Sequence, residues 1–262
     1  MRKLEIDELR KVQLGILDAV NDFCEKNALT CWLDRGSLIG AVRHKGYIPW
    51  DDDIDIGMMR EDFDFLIKNF NGTGERYKCI NVKIDRDTPF AYAKICDTET
   101  VLTERGMKLA ANIDIWPYDE IPDSALSRAK MLAVRGMCFY FDKLRKQTAV
   151  PNGNALRRGI VYAGRLAVRP FPIGWFSEKT VDSAVKYRGI GSETVGNMMT
   201  PAGSICKKSI FSSFIKSEFE GRMCNIPVGY DELLTGLYGD YMTLPPEEER
   251  KTHHIIEVFA KE

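Results

Sequence analysis

Residues 34–57 read DRGSLIGAVRHKGYIPWDDDIDIG and decide the fold. Toward the end of this stretch, acidic and β-branched residues alternate from Asp53 to Ile56, which is the period of a half-buried strand. Asp53 and Asp55 are therefore expected to project from one face of that strand, about 7 Å apart. Two carboxylates placed in this way suit a divalent cation.

The beginning of the same stretch predicts an anion site beside the strand. A short apolar strand at residues 29–33 leads to a turn at Gly36-Ser37, and residues 38–42 can start a helix. The first N–H groups of a helix have no partner within the helix, and they attract anions. A phosphate and a metal ion would then meet at one place.

A third acid completes the predicted site. Residues 112–116, NIDIW, alternate again and place Asp114 on the opposite face from the flanking isoleucines. Mg²⁺ prefers oxygen ligands and is commonly held by one or two carboxylates. A metal that bridges phosphate oxygens is typical of phosphoryl transfer. Asp53, Asp55 and Asp114 are thus predicted to bind Mg²⁺ or Mn²⁺.

Plainer interpretations of these residues stay open. An acidic run is most often a solvated loop, although such loops are seldom threaded with isoleucine at alternate positions. Aspartates at positions 51, 53 and 55 have the spacing of a calcium loop, but Ile56 stands where that loop requires a glycine. Gly36-Ser37 taken alone occurs in many ordinary turns.

Three blocks of the chain together resemble the LicD family of phosphocholine transferases, which is itself similar to the fukutin-type proteins. The first block is GSLIGAVRHKGYIPWDDDIDIG at residues 36–57, and the second is IDIWPYD at residues 113–119. The third is YGDYM at residues 238–242, followed by Pro245-Pro246 and His253. The blocks occur in order and cover nearly the whole chain.

This resemblance implies an α+β, nucleotidyltransferase-like fold of the polymerase β type, with a mixed sheet, flanking helices and a helical appendage. In that fold a Gly-Ser turn and an Asp-x-Asp strand bind a metal-chelated nucleotide. Carried over to this chain, Gly36 and Ser37 hold phosphate, and Asp53 and Asp55 bind the metal. Asp114 is then a third ligand or the base that accepts the proton of the attacking hydroxyl.

Four further side chains are candidates for contacts with the donor phosphates. Arg43 and His44 lie just ahead of the acids, and arginine is a good phosphate clamp. Lys94 falls on a strand predicted at residues 90–96, where an exposed strand lysine is the competing interpretation. The resemblance adds His253, whose partner and protonation state are open, as is the role of His254.

Aromatic residues near the acids are candidates for binding a choline group. A quaternary ammonium favours the faces of aromatic rings. Trp50, Trp116 and Tyr118 are the candidates, and ordinary core packing is the alternative for each.

The bulk composition excludes some classes of function. The chain has 262 residues, 44% of them apolar, with a formal net charge of −1 and a pI near 6.4. Nucleic-acid binding through a broad basic surface is therefore not expected. Neither a signal peptide nor a membrane span is expected, because no suitable apolar run occurs. Seven cysteines without a Cys-x-x-Cys pair indicate reduced thiols, which favours a cytoplasmic protein.

Helical and strand periodicity predicts what surrounds the site. Helices are predicted at residues 5–27, 60–70, 126–146, 154–169 and 231–238, and strands at 77–84, 90–96 and 100–104. These segments indicate a catalytic core at residues 1–122, a helical appendage at 123–190, and a C-terminal part at 191–262 that completes the site.

Residues 154–176 are basic and apolar, contain no acid and end in the aromatic run FPIGWF. This composition is typical of a helix that lies on a membrane surface. A helix packed on the core with an exposed arginine face is the alternative.

Residues and resemblance together predict a cytoplasmic, metal-dependent transferase, peripheral at the inner face of the plasma membrane where its acceptor is lipid-linked. It would move phosphocholine, or a related phospho-alcohol, from a CDP-alcohol donor to a sugar hydroxyl of a lipopolysaccharide or teichoic acid precursor and release CMP. Two alternatives stay open. They are nucleotidyl transfer with release of pyrophosphate, and a non-catalytic relative that binds nucleotide or glycan.

Overall fold

The computed structural model describes residues 2–104, 107–146, 153–200, 204–250 and 257–261. From the N-terminus the elements are β1 (Arg2–Lys3), α1 (Ile6–Lys26), β2 (Cys31–Leu33), α2 (Arg35–His44), β3 (Asp55–Met59), α3 (Arg60–Asn69), β4 (Tyr77–Ile80), β5 (Ala93–Asp97), β6 (Thr100–Glu104), β7 (Met107–Leu109) and β8 (Asn112–Glu120). They continue with α4 (Ala125–Lys146), α5 (Ala155–Val168), α6 (Trp175–Val185), β9 (Thr194–Asn197), β10 (Ser204–Lys207), β11 (Phe214–Phe219), β12 (Arg222–Pro227), α7 (Tyr230–Tyr238) and β13 (Val258–Ala260).

The chain divides into two compact units that are interleaved in sequence. The first comprises Met1–Ile80, Ala93–Tyr118 and Cys206–Glu262, and the second comprises Asn81–Tyr92 and Asp119–Ile205. The division into three segments at residues 122 and 190 stays a prediction.

The first unit is built on a mixed sheet, as predicted. Its strands lie in the order β4-β5-β8-β3-β2, and β3 and β8 run parallel while the other neighbours are antiparallel. Helix α1 contacts β5, α2 contacts β2 and β3, and α3 contacts β3. The parallel pairing of β3 with β8 brings the two predicted acidic strands side by side.

The catalytic strand begins two residues later than the alternation of acids and isoleucines predicts. β3 starts at Asp55, so Asp53 precedes it. The backbone at Asp51 and Asp52, just before β3, is bound by side chains of α1. Arg10 donates to the carbonyl of Asp51 at 2.7 Å, and Gln13 donates to the carbonyl of Asp52 at 2.8 Å.

The strands predicted at residues 77–84 and 90–96 are both shorter in the structure, and the chain between them belongs to the second unit. The buried Asn81 explains this, because its side chain takes the place of strand pairing. Its amide donates to the carbonyl of Tyr92 at 2.9 Å, and its oxygen accepts from the N–H of Lys83 at 2.8 Å.

Helices dominate the second unit, and they include both long helices predicted within residues 126–169. Helix α4 contacts α5 and α6, and the shared core contains Leu144, Val168 and Phe176. In β8, Asp119 and Glu120 pair with β9. Across the described part of the chain, no helix is both long and apolar enough to cross a bilayer.

Candidate active site

The structure brings the three predicted acids together at the centre of the mixed sheet. Asp55 and Asp114 stand directly opposite each other on the parallel strands β3 and β8. Paired strands are about 4.8 Å apart, and paired side chains share a face. Burial raises the pKa of the Asp55 carboxyl well above its usual range, and the charges of Asp53 and Asp114 raise it further. Like charges are therefore close together at a buried position, where a charged carboxylate is less stable than in water.

Asp51 belongs to the same acidic group, although the sequence prediction did not include it. Burial raises the pKa of Asp51, and the charges of Asp55 and Asp52 raise it further. Gly36 has no side chain at a point where a Cβ would lie 2.8 Å from Asp51 Oδ2. The sequence signal for Asp51 was present in its odd spacing with Asp53 and Asp55, but it pointed to a calcium loop.

The chemistry of these donors suits Mg²⁺ or Mn²⁺, because all of them are carboxylate oxygens and a cation would relieve their mutual repulsion. Yet no three carboxylate, imidazole or thiol side chains within the described residues are grouped as a metal-binding set. Two of these carboxylates already accept hydrogen bonds from protein side chains. Trp116 Nε1 donates to Asp55 Oδ1 at 2.6 Å, and Lys94 Nζ donates to Asp114 Oδ1 at 2.8 Å.

Lys94 is buried and paired, so the exposed strand lysine of the competing interpretation is wrong. The residue is 5% exposed, and its Nζ also donates to Asn112 Oδ1 at 3.0 Å. It is buried because β5 lies inside the sheet, where Lys94 pairs in register with Asp114. A contact of Lys94 with a donor phosphate stays a prediction.

Helix α2 starts earlier than predicted, so Gly36 and Ser37 lie in its first turn rather than in a preceding turn. Asp34 is the N-cap and accepts from the N–H of Arg35 at 3.0 Å. The hydroxyl of Ser37 accepts from the N–H of Asp55 at 2.9 Å, and Ser37 is buried. Ser37 therefore fixes α2 against β3, while the phosphate contacts of Gly36 and Ser37 stay predictions.

Arg35 places a cation among these acids, and no sequence signal singled it out. Its guanidinium carbon lies 4.3 Å from the ring centroid of Trp116. Burial opposes its charge, but Asp34 and Asp55 outweigh burial and raise the pKa of Arg35, so it stays protonated. Its φ of 48° lies in the left-handed region that non-glycine residues rarely adopt, and such strain is concentrated at functional sites.

Arg43 and His44 lie at the opposite end of α2 from Gly36. Arg43 is seven positions beyond Gly36 in the helix, which is about 10 Å along the axis. Arg43 Nε donates to His44 Nε2 at 2.9 Å, and its Nη1 donates to the carbonyl of Tyr241. Burial and the charge of Arg43 lower the pKa of His44, so its imidazole is neutral at pH 7. Contacts of Arg43 and His44 with the donor stay predictions.

The three aromatic candidates make protein contacts in the structure. Trp116 lies between Asp55 and Arg35, as described above. The ring of Tyr118 is buried, and its hydroxyl lies 3.0 Å from both carboxylate oxygens of Asp34. Arg250 lies over the ring of Trp50 at 5.7 Å. A choline contact stays a prediction for all three, and His253 and His254 lie outside the described residues.

Comparison with known proteins agrees with the resemblance read from the motifs. Residues 28–150 match the family described as LicD/FKTN/FKRP, nucleotidyltransferase domain. The lipopolysaccharide cholinephosphotransferase LicD of Haemophilus influenzae is 34% identical over 270 residues, which cover 99% of this chain and 99% of that protein.

More distant relatives match a smaller share of the chain. The ribitol 5-phosphate transferase FKRP of Homo sapiens is 26% identical over 112 residues, 42% of this chain and 20% of that protein. An uncharacterised protein of Rickettsia typhi is 37% identical over 82 residues, 30% of this chain and 26% of that protein. Taken with the similarity to LicD along the whole length, these relationships show that this chain belongs to the LicD family.

Proposed function

We propose that this chain transfers phosphocholine from CDP-choline to a sugar hydroxyl of a cell-surface glycan precursor, such as that of lipopolysaccharide or teichoic acid, and releases CMP. The observation that carries the proposal is the similarity to the Haemophilus lipopolysaccharide cholinephosphotransferase over 99% of both chains. The crowding of Asp53, Asp55 and Asp114 supports a group transfer that needs a cation.

We assign the metal to Asp53 and Asp55, with Asp114 as third ligand or base, and we retain the nucleotidyltransferase-like fold as part of this proposal. Bound Mg²⁺ or Mn²⁺ would neutralise the charge of the donor phosphates. As the base, Asp114 would accept the proton of the acceptor hydroxyl, and in either role Lys94 holds its carboxylate in place at 2.8 Å. Arg35 opposes the negative charge of the acids beside it.

Other residues bind and orient the donor in this proposal. Gly36 and the N–H groups of the first turn of α2 hold a phosphate, because a helix N-terminus attracts anions. Ser37 positions Asp55 and its strand. Arg43, His44, Lys94 and His253 are kept as candidate donor contacts, and Trp50, Trp116 and Tyr118 as candidate choline contacts.

We place the reaction in the cytoplasm, at the inner face of the plasma membrane where the acceptor is lipid-linked. All seven cysteines are free, and each except Cys206 is buried, which suits a reducing compartment.

Ribitol phosphate is the second candidate for the transferred group. The similarity to ribitol 5-phosphate transferase FKRP over 112 residues, 42% of this chain, favours it. Ethanolamine and glycerol phosphates remain in the same class, and nucleotidyl transfer with release of pyrophosphate is a different reaction.

Calorimetric binding separates these donors. CDP-choline, CDP-ethanolamine, CDP-glycerol, CDP-ribitol and CTP are each titrated with and without Mg²⁺. We expect a Mg²⁺-dependent preference for CDP-choline, and a preference for CTP over every CDP-alcohol would contradict group transfer. The mass of the modified acceptor then distinguishes phospho-alcohol transfer, which releases CMP, from nucleotidyl transfer, which releases pyrophosphate.

The acid assignment is tested by Asp53→Asn with a matched control. The variant Asp7→Asn removes an exposed acid in the first turn of α1. Transfer is expected to fall by about a thousandfold in Asp53→Asn, since a metal contributes several kcal/mol to such transition states. Asp7→Asn should keep full activity. Full turnover by Asp53→Asn would remove Asp53 from the site.

A further inference from the structure

Helix α5 carries two separate apolar faces, and only one of them is packed. A helix turns about 100° per residue, so Val161 and Val168 share one side. Val168 is buried, and both residues pack in the core cluster with Leu144 and Phe176. Leu156 and Ile160 lie about 110° away from that side. They are 74% and 61% exposed, and Leu166 farther round is 68% exposed.

The exposed face of α5 is unusual for the surface of a globular protein. Single exposed apolar residues are common and need no explanation. Here three large aliphatic side chains project from a helix of 14 residues, beside Ala163 and Ala167, which are exposed as well. A continuous apolar face of this kind marks a surface that binds something.

The charge of the same segment identifies the kind of partner. Residues 154–176 contain four arginines, no lysine and no acid, so their formal charge is +4, while the whole chain has a net charge of −1. Arg158, Arg165 and Arg169 lie within about 40° of one another around the helix and line one flank of the exposed apolar face. Exposed aromatic rings of Tyr162 and Phe171 accompany them.

We propose that this outer face of α5 docks on an anionic phospholipid bilayer, with its aliphatic side chains among the acyl chains and its arginines at the headgroups. A helix with an apolar face, an arginine flank and aromatic residues has the composition of an interfacial helix. Long arginine side chains bury their stems and keep the charge at the headgroup level.

A second copy of the chain is a poor occupant of this face. A two-fold interface sets the same patch against itself, so it would bring two +4 segments together without any acid to pair with them. An anionic bilayer supplies the opposite charge over the whole length of the helix, because each basic residue near the surface is attracted to it.

The inference deepens the proposed function and rests on it for the location of a lipid-linked acceptor. It names the surface and the lipid chemistry that would bring the enzyme to that acceptor. Vesicle binding by this face requires no substrate, so it is measured separately from the transfer reaction.

The test is sedimentation of the full chain with vesicles. One set contains equal parts of phosphatidylglycerol and phosphatidylethanolamine, and the other contains phosphatidylcholine alone. We expect the wild-type chain to sediment with the anionic vesicles, at least tenfold more tightly than with phosphatidylcholine, and to be released by high salt.

Two double variants of α5 and one control double variant show which side chains bind the vesicles. Ile160→Ser with Leu166→Ser removes apolar contacts, and Arg158→Gln with Arg169→Gln removes charge. Ile215→Ser with Met223→Ser changes exposed apolar residues of β11 and β12 in the first unit. Each α5 variant should lose at least tenfold in binding to anionic vesicles, and the control should bind as the wild type does.

Three outcomes would overturn the proposal. They are no vesicle binding by the wild type, equal loss in the control, and a shift from dimer to monomer by light scattering in the α5 variants without a change in vesicle binding. Transfer to a water-soluble saccharide acceptor, assayed beside these, should be unchanged in both α5 variants. Its absence from the wild type would count against the proposed function while leaving the vesicle result intact.

Discussion

The acidic site of the first unit and helix α5 of the second depart from ordinary burial in opposite directions. In the first, Asp55 is buried and Asp51 is partly buried, although like charges surround them. In the second, Leu156 and Ile160 remain in water although nothing polar requires it. Both arrangements lower the free energy of unfolding relative to ordinary residues at the same positions. Proteins accept such a loss of stability mainly at sites that bind a ligand or a partner.

The largest expected effect is at Asp55, where one substitution should lower activity and raise stability. Asp55→Asn should lower transfer by about a thousandfold, because it removes a proposed metal ligand. The same change should raise the free energy of unfolding of the metal-free protein at pH 7, because the amide carries no charge that burial and the neighbouring acids oppose. Transfer assays and urea unfolding measure the two effects on the same preparation.

The pH dependence of this difference has a defined sign. The folded-state pKa of Asp55 is raised, so the folded protein holds this proton more tightly than the unfolded chain does. Its contribution to stability is present below the unfolded pKa of about 4 and is lost as pH rises through the folded pKa. The advantage of Asp55→Asn over the wild type should therefore grow as pH rises from 4 to 8.

Asp97→Asn is the matched control for this reasoning. Asp97 is buried as well, but it accepts from Arg76 Nη2 at 2.9 Å and from the N–H of Glu99 at 3.0 Å. Its replacement should therefore lower the free energy of unfolding, by about 1–3 kcal/mol. If Asp55→Asn is destabilising as well, the acids of the site are not crowded in the way proposed.

The next effect concerns Lys94, whose ammonium lies beside Asp114. Lys94→Met should lower the free energy of unfolding by about 3 kcal/mol, since breaking a buried pair leaves a buried charge poorly compensated. Added Mg²⁺ should restore part of this loss in the proposed site. Urea unfolding with and without Mg²⁺ measures both.

Lys83→Met gives the comparison for Lys94. Lys83 pairs with Asp182 at 2.9 Å, and both side chains are more than a third exposed. The change should stay within about 0.5 kcal/mol, as for other surface pairs. If Lys94→Met lowers the free energy of unfolding by no more than Lys83→Met does, the buried pair of Lys94 and Asp114 contributes little to stability.

A smaller effect is expected at Ser37, which joins α2 to the catalytic strand. Ser37→Ala leaves the buried N–H of Asp55 without its acceptor and should lower the free energy of unfolding by about 1–2 kcal/mol. A roughly tenfold loss in kcat should accompany it, because a small displacement of Asp55 disturbs the reacting geometry.

The control for Ser37 lies in α6. The Ser183 hydroxyl donates to the carbonyl of Thr180 in its own helix at 2.9 Å, so Ser183→Ala leaves no buried N–H unpaired. It should change stability by no more than about 0.5 kcal/mol. Equal effects of the two serine variants would contradict a positioning role for Ser37.

Local sequence patterns predicted the elements well, because periodicity and capping act over a few residues. The alternation around Asp114 and the amphipathic pattern of α1 both correspond to elements of the structure. The grouping of Asp53, Asp55 and Asp114 was predictable from two short motifs, even though the start of β3 was not.

Long-range contacts escaped prediction. Gln13 looked like an ordinary helix residue, yet it donates to the carbonyl of Asp52 and accepts from the hydroxyl of Tyr47 at 3.0 Å. Arg35 had no pattern that would place it over Trp116. The burial of Lys94 depends on which strand pairs with β8. Each of these depends on strand order and on contacts far apart in sequence, which residue spacing does not encode.

The smallest effects compare the two faces of α5. Val168→Ala removes buried methyl groups from the cluster around Leu144 and should lower the free energy of unfolding by about 1–2 kcal/mol. Ile160→Ala shortens an exposed side chain and introduces a better helix former, so stability should change by less than about 0.5 kcal/mol. Vesicle binding should show the reverse order, with a loss in Ile160→Ala and none in Val168→Ala. If Ile160→Ala destabilised the chain as much as Val168→Ala, the outer face of α5 would already be covered by protein, and it could not be the surface that meets a bilayer.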